Sequence, residues 1–165
     1  MQEPAYFKYC PQCREVVGDI DKKDAMQHCV SCGWKFYFHT PQTAAAIIEN
    51  EKQEILLVQR KHEPLKGKWS LPAGFVRYGE HPVDTALREL KEETGLIADY
   101  DYLVGLFISD DHPLTFSLLT VVKVKNIKGI PTPSDDAQAV SFFPPIGLPD
   151  IAFKSHIEAL RLLQR

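Results

Sequence analysis

The chain has 165 residues, with 19 Lys and Arg against 22 Asp and Glu and a formal charge of −3 when its six histidines are neutral. That acidic balance argues against a general nucleic-acid binder, which should be basic, while 25% charged and 44% hydrophobic residues are usual for a globular protein. The longest apolar runs, such as "AAAII" and "ILLV", are far too short to span a membrane, and the opening "MQEPAYFKYC" lacks the apolar core of a secretory signal. A cytoplasmic location without a membrane partner is therefore the default expectation. The length suits one ordinary domain and a small appendage.

The appendage comes first. Cys10 and Cys13 form "CPQC", Cys29 and Cys32 form "CVSC", and fifteen residues separate the pairs. This is the spacing of a zinc ribbon, in which two tight turns each present two thiolates to one tetrahedral Zn²⁺. Gly33 lets the second turn close. Disulfides and redox-active pairs are the competing readings, and the absence of a secretory signal disfavours the first of them. A segment of this size also needs a staple, because a chain below about 40 residues rarely sustains a core. With four thiolate ligands the expected zinc is structural and closed, and His28 is expected at the surface. The charges between residues 8 and 39, Lys8, Arg14, Lys22, Lys23 and Lys35 against Glu15, Asp19, Asp21 and Asp24, give no basic patch. The expected domains are a ribbon over residues 1–38 and a main domain over 39–165.

In the main domain, "TAAAIIEN" (43–50) and "ILLVQR" (55–60) read as strands joined by the polar turn "EKQE", a hairpin. "WSLPAGFV" is short and extended, broken by Pro72 and Gly74. A helix follows, opened by Pro82 and stopped by Gly95. Val83, Ala86, Leu87, Leu90 and Thr94 recur on one side at helical spacing and should face the core. Glu89, Glu92 and Glu93 fall on the opposite side, so they are expected to cluster without being buried by the core. "YLVGLFIS" (102–109), "TFSLLTVVKVK" (115–125) and "AVSFF" (139–143) read as further strands around the loop "DDHPL". "PDIAFKSHIEALRLLQ" reads as a closing helix with Asp150 as N-cap and Phe153, Ile157 and Leu160 on its buried face. Strands interleaved with two helices predict an α/β (α+β) fold with a mixed sheet between helices.

The acidic helix raises the question of what its carboxylates hold. Like charges three or four apart cost roughly 0.2–0.5 kcal/mol per pair, which a helix tolerates, so a solvated face is the plain alternative. A loop entering a helix with carboxylates on one face also suits hard cations such as Mg²⁺ or Mn²⁺. Such ions bridge a diphosphate and lower the pKa of bound water. From Gly74 the chain reads five residues, Glu80, seven residues, then Arg88, Glu89, Leu90, Lys91, Glu92, Glu93, Thr94, Gly95 and Leu96. This resembles the box of the Nudix hydrolases, G-x5-E-x7-R-E-U-x-E-E-x-G-U with U aliphatic, at every specified position. The flanking strand order is similar to that family's fold as well, over about residues 42–165. The ribbon resembles that of NADH pyrophosphatases and related members.

The resemblance implies a Nudix-type α/β/α sandwich and hydrolysis of a nucleoside diphosphate linked to another moiety, by water attack on phosphorus. It implies that Glu89 and Glu93 are the main ligands of Mg²⁺ or Mn²⁺. Glu92 would complete the site, and a backbone carbonyl of Ala73 or Gly74 would reach the same ion. Glu80 and Arg88 would be a supporting pair that orients the carboxylates. An acidic residue before the late strand often adds a ligand or base in this family; here Asp135 and Asp136 stand there, where a solvated turn is the competing reading. Arg60, Lys66, Lys68 and Arg77 could hold the diphosphate, and Phe7, Tyr9, Trp69, Phe75 and Tyr78 are candidates to stack on a base. The segment after the box, "SDDHPLTFS", lacks the tryptophan and proline pattern of NADH pyrophosphatases, while Pro113 is similar in place to a proline of ADP-ribose hydrolases. The expected substrate is thus a small nucleotide of the ADP-ribose, NAD(H) or FAD class, with a homodimer possible by analogy. A non-catalytic ligand-sensing or regulatory module is the alternative.

Overall fold

The structure is a computed structural model, and it describes residues 7–21, 23–110 and 116–163. Lys22, Pro113, most of the "DDHPL" loop and Thr115 lie outside the described residues, as does Gln164 at the end of the closing segment. The chain divides into two compact units, one ending at Thr40 and one beginning at Pro41.

The first unit is built on a two-stranded antiparallel sheet, β1 (Met26–His28) and β2 (Lys35–Tyr37). Each cysteine pair sits on a tight backbone turn. Arg14 donates its N–H to the Cys10 carbonyl (2.9 Å) and Gly33 donates its N–H to the Cys29 carbonyl (2.9 Å). Both turns need a left-handed residue: Gly33 has φ 76° and Arg14 has φ 67°. Around them Cys10, Val17 and Cys29 are buried, with Trp34 packed against them. Gln27 is fully buried and spends its side-chain amide on the carbonyls of Phe7 and Gly18.

The second unit has a four-stranded mixed sheet and a three-stranded antiparallel one. The first runs in the order β6 (Ala73–Phe75), β3 (Gln42–Ile47), β8 (Ser117–Lys128), β7 (Ile97–Ser109). Within it β3 and β8 are parallel. The second runs β5 (Trp69–Ser70), β4 (Ile55–Arg60), β9 (Ala137–Phe143). The expected hairpin over 43–60 is therefore formed only at its tip. β3 and β4 meet only where one sheet passes to the other, at the Glu49–Ile55 bridge and the Leu56 N–H to Ile48 carbonyl bond of 3.0 Å. The reason lies in burial. Both strands are apolar on both faces, so each sits inside a sandwich and takes partners from distant sequence.

Side-chain alternation sorts that sandwich into two cores. Ala44, Ala46, Ile48, Leu56, Val122 and Val124 face α1 (Pro82–Thr94), whose Ala86 and Leu90 meet them. Ala45, Ile47, Ile55, Leu57, Leu119 and Val121 face α2 (Lys154–Leu163), which contributes Ala159 and Leu160. The fold is the α/β/α sandwich with a mixed sheet that the pattern predicts. Of the predicted inner face of α1, Ala86, Leu90 and Thr94 are buried and Val83 and Leu87 pack at its edge.

α2 starts later than expected. Asp150 does not cap it; its carbonyl accepts the Trp69 N–H (3.0 Å) and its carboxylate pairs with Lys68 (3.2 Å). Residues 150–152 instead lie along β5, through a Trp69–Ile151 bridge. The buried positions of α2 are Ser155, His156, Ala159 and Leu160, with Phe153 ahead of the helix and Ile157 only partly covered.

Candidate active site

The box folds as a strand, a turn and a helix whose ends are fixed locally. His81 takes the N-cap place with extended backbone, and its Nδ1 accepts the Val83 N–H. Pro82 follows in the first turn. At the other end Gly95 adopts φ 71° and returns its N–H to the Lys91 carbonyl at 2.9 Å. Between these stops the helix holds Arg88, Glu89, Glu92 and Glu93 beside β6.

Arg88 is the hub. Its Nε and Nη2 donate to the two oxygens of Glu80 at 2.7 and 2.9 Å, a bidentate fork. Its Nη1 donates to Glu89 at 2.5 Å and to Glu92 at 2.9 Å, and Nη2 also reaches the Phe75 carbonyl at 3.3 Å. The Arg88 hydrogen bonds, with a further one from the Arg77 N–H, hold the Glu80 carboxyl down to about 2. Glu80 is thus a permanent anion that anchors the guanidinium. Arg77 lies further out, 3.4 Å from the second oxygen of Glu92 and largely exposed.

Glu89 lies directly over Gly74. A Cβ at position 74 would stand 2.1 Å from the Glu89 Oε1, so only glycine leaves room for that carboxylate. Glu93 is buried, at 8% exposure, and its Oε2 accepts the Ala73 N–H at 3.1 Å. The expectation that the core leaves all three glutamates uncovered is corrected here: Glu93 stands seven positions from Ala86 and three from Leu90, so it shares their side of α1, and Ala73 of β6 covers it. Burial pushes the Glu93 carboxyl up to about 8, against the Ala73 N–H and with help from the charges of Glu89 and Asp136. Burial also raises Glu89, against Arg88.

The three glutamates do not converge on one point. Among the described residues, only the four cysteines bring three or more metal-ligating atoms within 4.8 Å of one another. Their sulfurs approach to 3.6 Å (Cys10–Cys32) and 3.5 Å (Cys13–Cys29), a compact thiol set of the kind a tetrahedral ion takes. For the acidic site the fit is of another kind. Mg²⁺ keeps several waters and needs only one or two carboxylates. Glu89 and Glu93, both desolvated oxygen donors flanking the Ala73–Gly74 backbone, meet that need.

A cavity of about 280 Å³ opens beside this backbone, walled by Arg60, Ser70, Ala73, Gly74, Phe75 and Phe153 among others. Arg60 crosses the Phe153 ring at 5.2 Å and is steadied by an Nε bond to the Pro64 carbonyl (3.0 Å). Phe75 is 59% exposed and stands at the wall. A smaller cavity of about 60 Å³ shares Arg60, Ser70 and Ala73 with the first and adds Glu93, His62 and Asp136. Asp136 thus belongs to the Glu93 side, 3.5 Å from the His62 Nε2. Asp135 lies instead in a shallow groove with Arg88, Lys91 and Glu92.

Of the residues proposed from sequence for substrate contact, Arg60 and Phe75 line the larger cavity and Trp69 does not. Trp69 packs edge-on against Phe143 at 4.7 Å within the α2-side core; its place in β5 turns the ring inward. Tyr78 is fully exposed, and Phe7 packs with Trp34 and Phe36 in the first unit. Ser70, Phe153 and His156 also line the cavity but carry no sequence signal. They come from separate elements, and Phe153 had the spacing of a core residue.

A strand–turn–helix with a fork-anchored glutamate row, set in a two-core sandwich, defines the site of a Nudix domain. A family profile described as the NUDIX domain matches residues 39–163, and the chain belongs to this family. It is 36% identical over 121 residues to the ADP-ribose pyrophosphatase of Methanocaldococcus jannaschii, covering 73% of this chain and 71% of that one. It is 41% identical over 54 residues to the 8-oxo-dGDP phosphatase NUDT18 of Mus musculus, covering 33% of this chain and 17% of that one. Among solved structures it is similar to a NUDIX hydrolase from Nitrosomonas europaea, with TM-score 0.74 and 27% identity over 96% of this chain and 92% of that one. The protein is a Nudix pyrophosphohydrolase, an enzyme acting on acid anhydrides.

Proposed function

We propose that this chain cleaves the pyrophosphate bond of a nucleoside diphosphate linked to another moiety, of the ADP-ribose, NAD(H) or FAD class, with Mg²⁺ or Mn²⁺ as its cofactor. The observation that carries the reading is Glu93, a buried carboxylate held at Ala73 on the wall that two cavities share with Arg60. Glu89 and Glu93 would hold the divalent ion with the Ala73 or Gly74 carbonyl, and Glu92 completes the site from its rim. The ion would supply charge neutralisation on the diphosphate and acidify a bound water. Arg60 binds phosphate oxygens between the two cavities, with Arg77 adding charge outside. Phe75 and Phe153 offer flat apolar surface to a base. Arg88, fixed by Glu80, keeps Glu89 and Glu92 oriented. Glu93 or Asp136 accepts the proton of the attacking water. The four cysteines would hold a structural Zn²⁺. The M. jannaschii relative supports the ADP-ribose end of this substrate range.

One observation favours a second reading, a ligand-sensing module: Arg88 occupies oxygens of both Glu89 and Glu92, and the row does not converge. An assay separates the two. The zinc-loaded protein is incubated with Mg²⁺ or Mn²⁺ and ADP-ribose, NADH, FAD or nucleoside triphosphates, and nucleoside monophosphate is measured. Release from a member of the first three, lost in Glu93→Gln, is expected. Nucleotide binding without turnover would make the chain a sensor.

A further inference from the structure

His156 stands 4% exposed in the first turn of α2, outside the box and 85 positions from its hydrogen-bond partner. Its Nδ1 accepts the backbone N–H of Leu71 at 3.1 Å. Leu71 begins the link between β5 and β6. In that link each successive residue is fastened to a different element. Leu71 is tied to α2 through His156, the Pro72 carbonyl to the Ala46 N–H of β3 (3.0 Å), and the Ala73 N–H to Glu93 of α1 (3.1 Å). Pro72 fixes its own φ and offers no N–H. The orientation of the Ala73 N–H toward Glu93 therefore depends on the bonds either side of it. Ser70, just before the link, lines both cavities.

We propose that His156 is a positioning residue for the hydrolytic site, holding the Leu71–Ala73 link so that the Ala73 N–H meets Glu93 and the adjoining backbone stands ready beside Glu89. The inference rests on Glu93 being a metal ligand, as above. It extends the site to α2, the helix on the other side of the sandwich from the glutamates. Outer partners of this kind govern metal affinity by orienting the groups that touch the ion.

Asparagine carries its amide oxygen near the place of the imidazole Nδ1, while glutamine carries it near Nε2 and leucine carries no acceptor. The test is Mn²⁺ affinity without nucleotide, measured on the zinc-loaded full chain from the electron-spin signal of free Mn²⁺, with thermal unfolding followed on the same samples. His156→Leu and His156→Gln are expected to weaken Mn²⁺ binding about tenfold or more, and His156→Asn to bind close to wild type. A folded leucine variant with wild-type affinity overturns the proposal. So does an asparagine variant as weak as the glutamine one, a comparison that holds even where the leucine variant does not fold. A purely structural role would lower the melting temperature in all three while leaving Mn²⁺ affinity unchanged. Glu93→Gln is measured alongside: wild-type Mn²⁺ affinity there overturns the ligand assignment itself, whereas weakened binding there with an unaffected leucine variant overturns only the role of His156.

Discussion

At the scale of single residues, the site depends on close approach and on one buried carboxyl group. Gly74→Ala places a methyl where the Glu89 carboxylate lies. We expect overpacking that costs about 1–3 kcal/mol or expulsion of Glu89, read as a lower melting temperature or as weaker Mn²⁺ binding. Glu93→Gln should cut turnover by about 10²–10⁴-fold, the range for loss of a positioned acid or base, with the fold retained by circular dichroism. Glu93 also gives a pH signature. Its folded-state pKa, raised to about 8 from 4.5, means the folded protein holds a proton that the unfolded chain has released. In buffer without Mg²⁺ or Mn²⁺ its contribution to stability is full below pH 4.5 and is lost as pH rises through about 8. The difference in melting temperature between wild type and Glu93→Gln, followed across that window, measures it. The box residues were legible in sequence because their chemistry is local: one turn and one helix fix every spacing. Arg60 and Phe75 were legible only as nearby charge and ring. His156 and Ser70 were not, since a buried histidine on an amphipathic helix looks like any other core position until the fold brings it to Leu71.

At the scale of elements, α1 was readable because its stops are conformational rather than tertiary. Gly95 has open space around its missing Cβ but φ 71°, so Gly95→Ala carries a backbone penalty of roughly 1–2 kcal/mol without a steric clash. We expect a few degrees lower melting temperature and unchanged Mn²⁺ affinity. The hairpin over 43–60 stops at its tip for the opposite reason. A polar turn between two apolar runs gives no sign that the strands will part into two sheets, each taking one partner more than sixty positions away, β3 on β8 and β4 on β9. The start of α2 was misplaced because Asp150 has the chemistry of a cap, while its backbone is already used by Trp69.

At the scale of the whole molecule, the two units differ in what stabilises them. The second has two apolar cores of its own; among the described residues, the first buries one small cluster of Cys10, Val17 and Cys29, besides the polar Gln27. A strong zinc chelator should therefore abolish the tertiary signal of Trp34 and the protection of amides up to residue 40. The helical circular dichroism of α1 and α2 should persist. Loss of both together would show that a metal held by the four cysteines supports more than the first unit. Among the described residues no helix is long and apolar enough to cross a membrane.

The guanidinium at the centre of the acidic row carries one positive charge and faces Glu80, Glu89 and Glu92 at once. Such a group does not lose its proton at any pH a cell visits. At any such pH the row is therefore partly neutralised, one fixed positive charge standing against three carboxylates. A dication seated at Glu89, as proposed above, would meet a row already held in place, with Glu80 keeping the guanidinium tethered. Its departure would leave the carboxylates facing that same partner and not only one another.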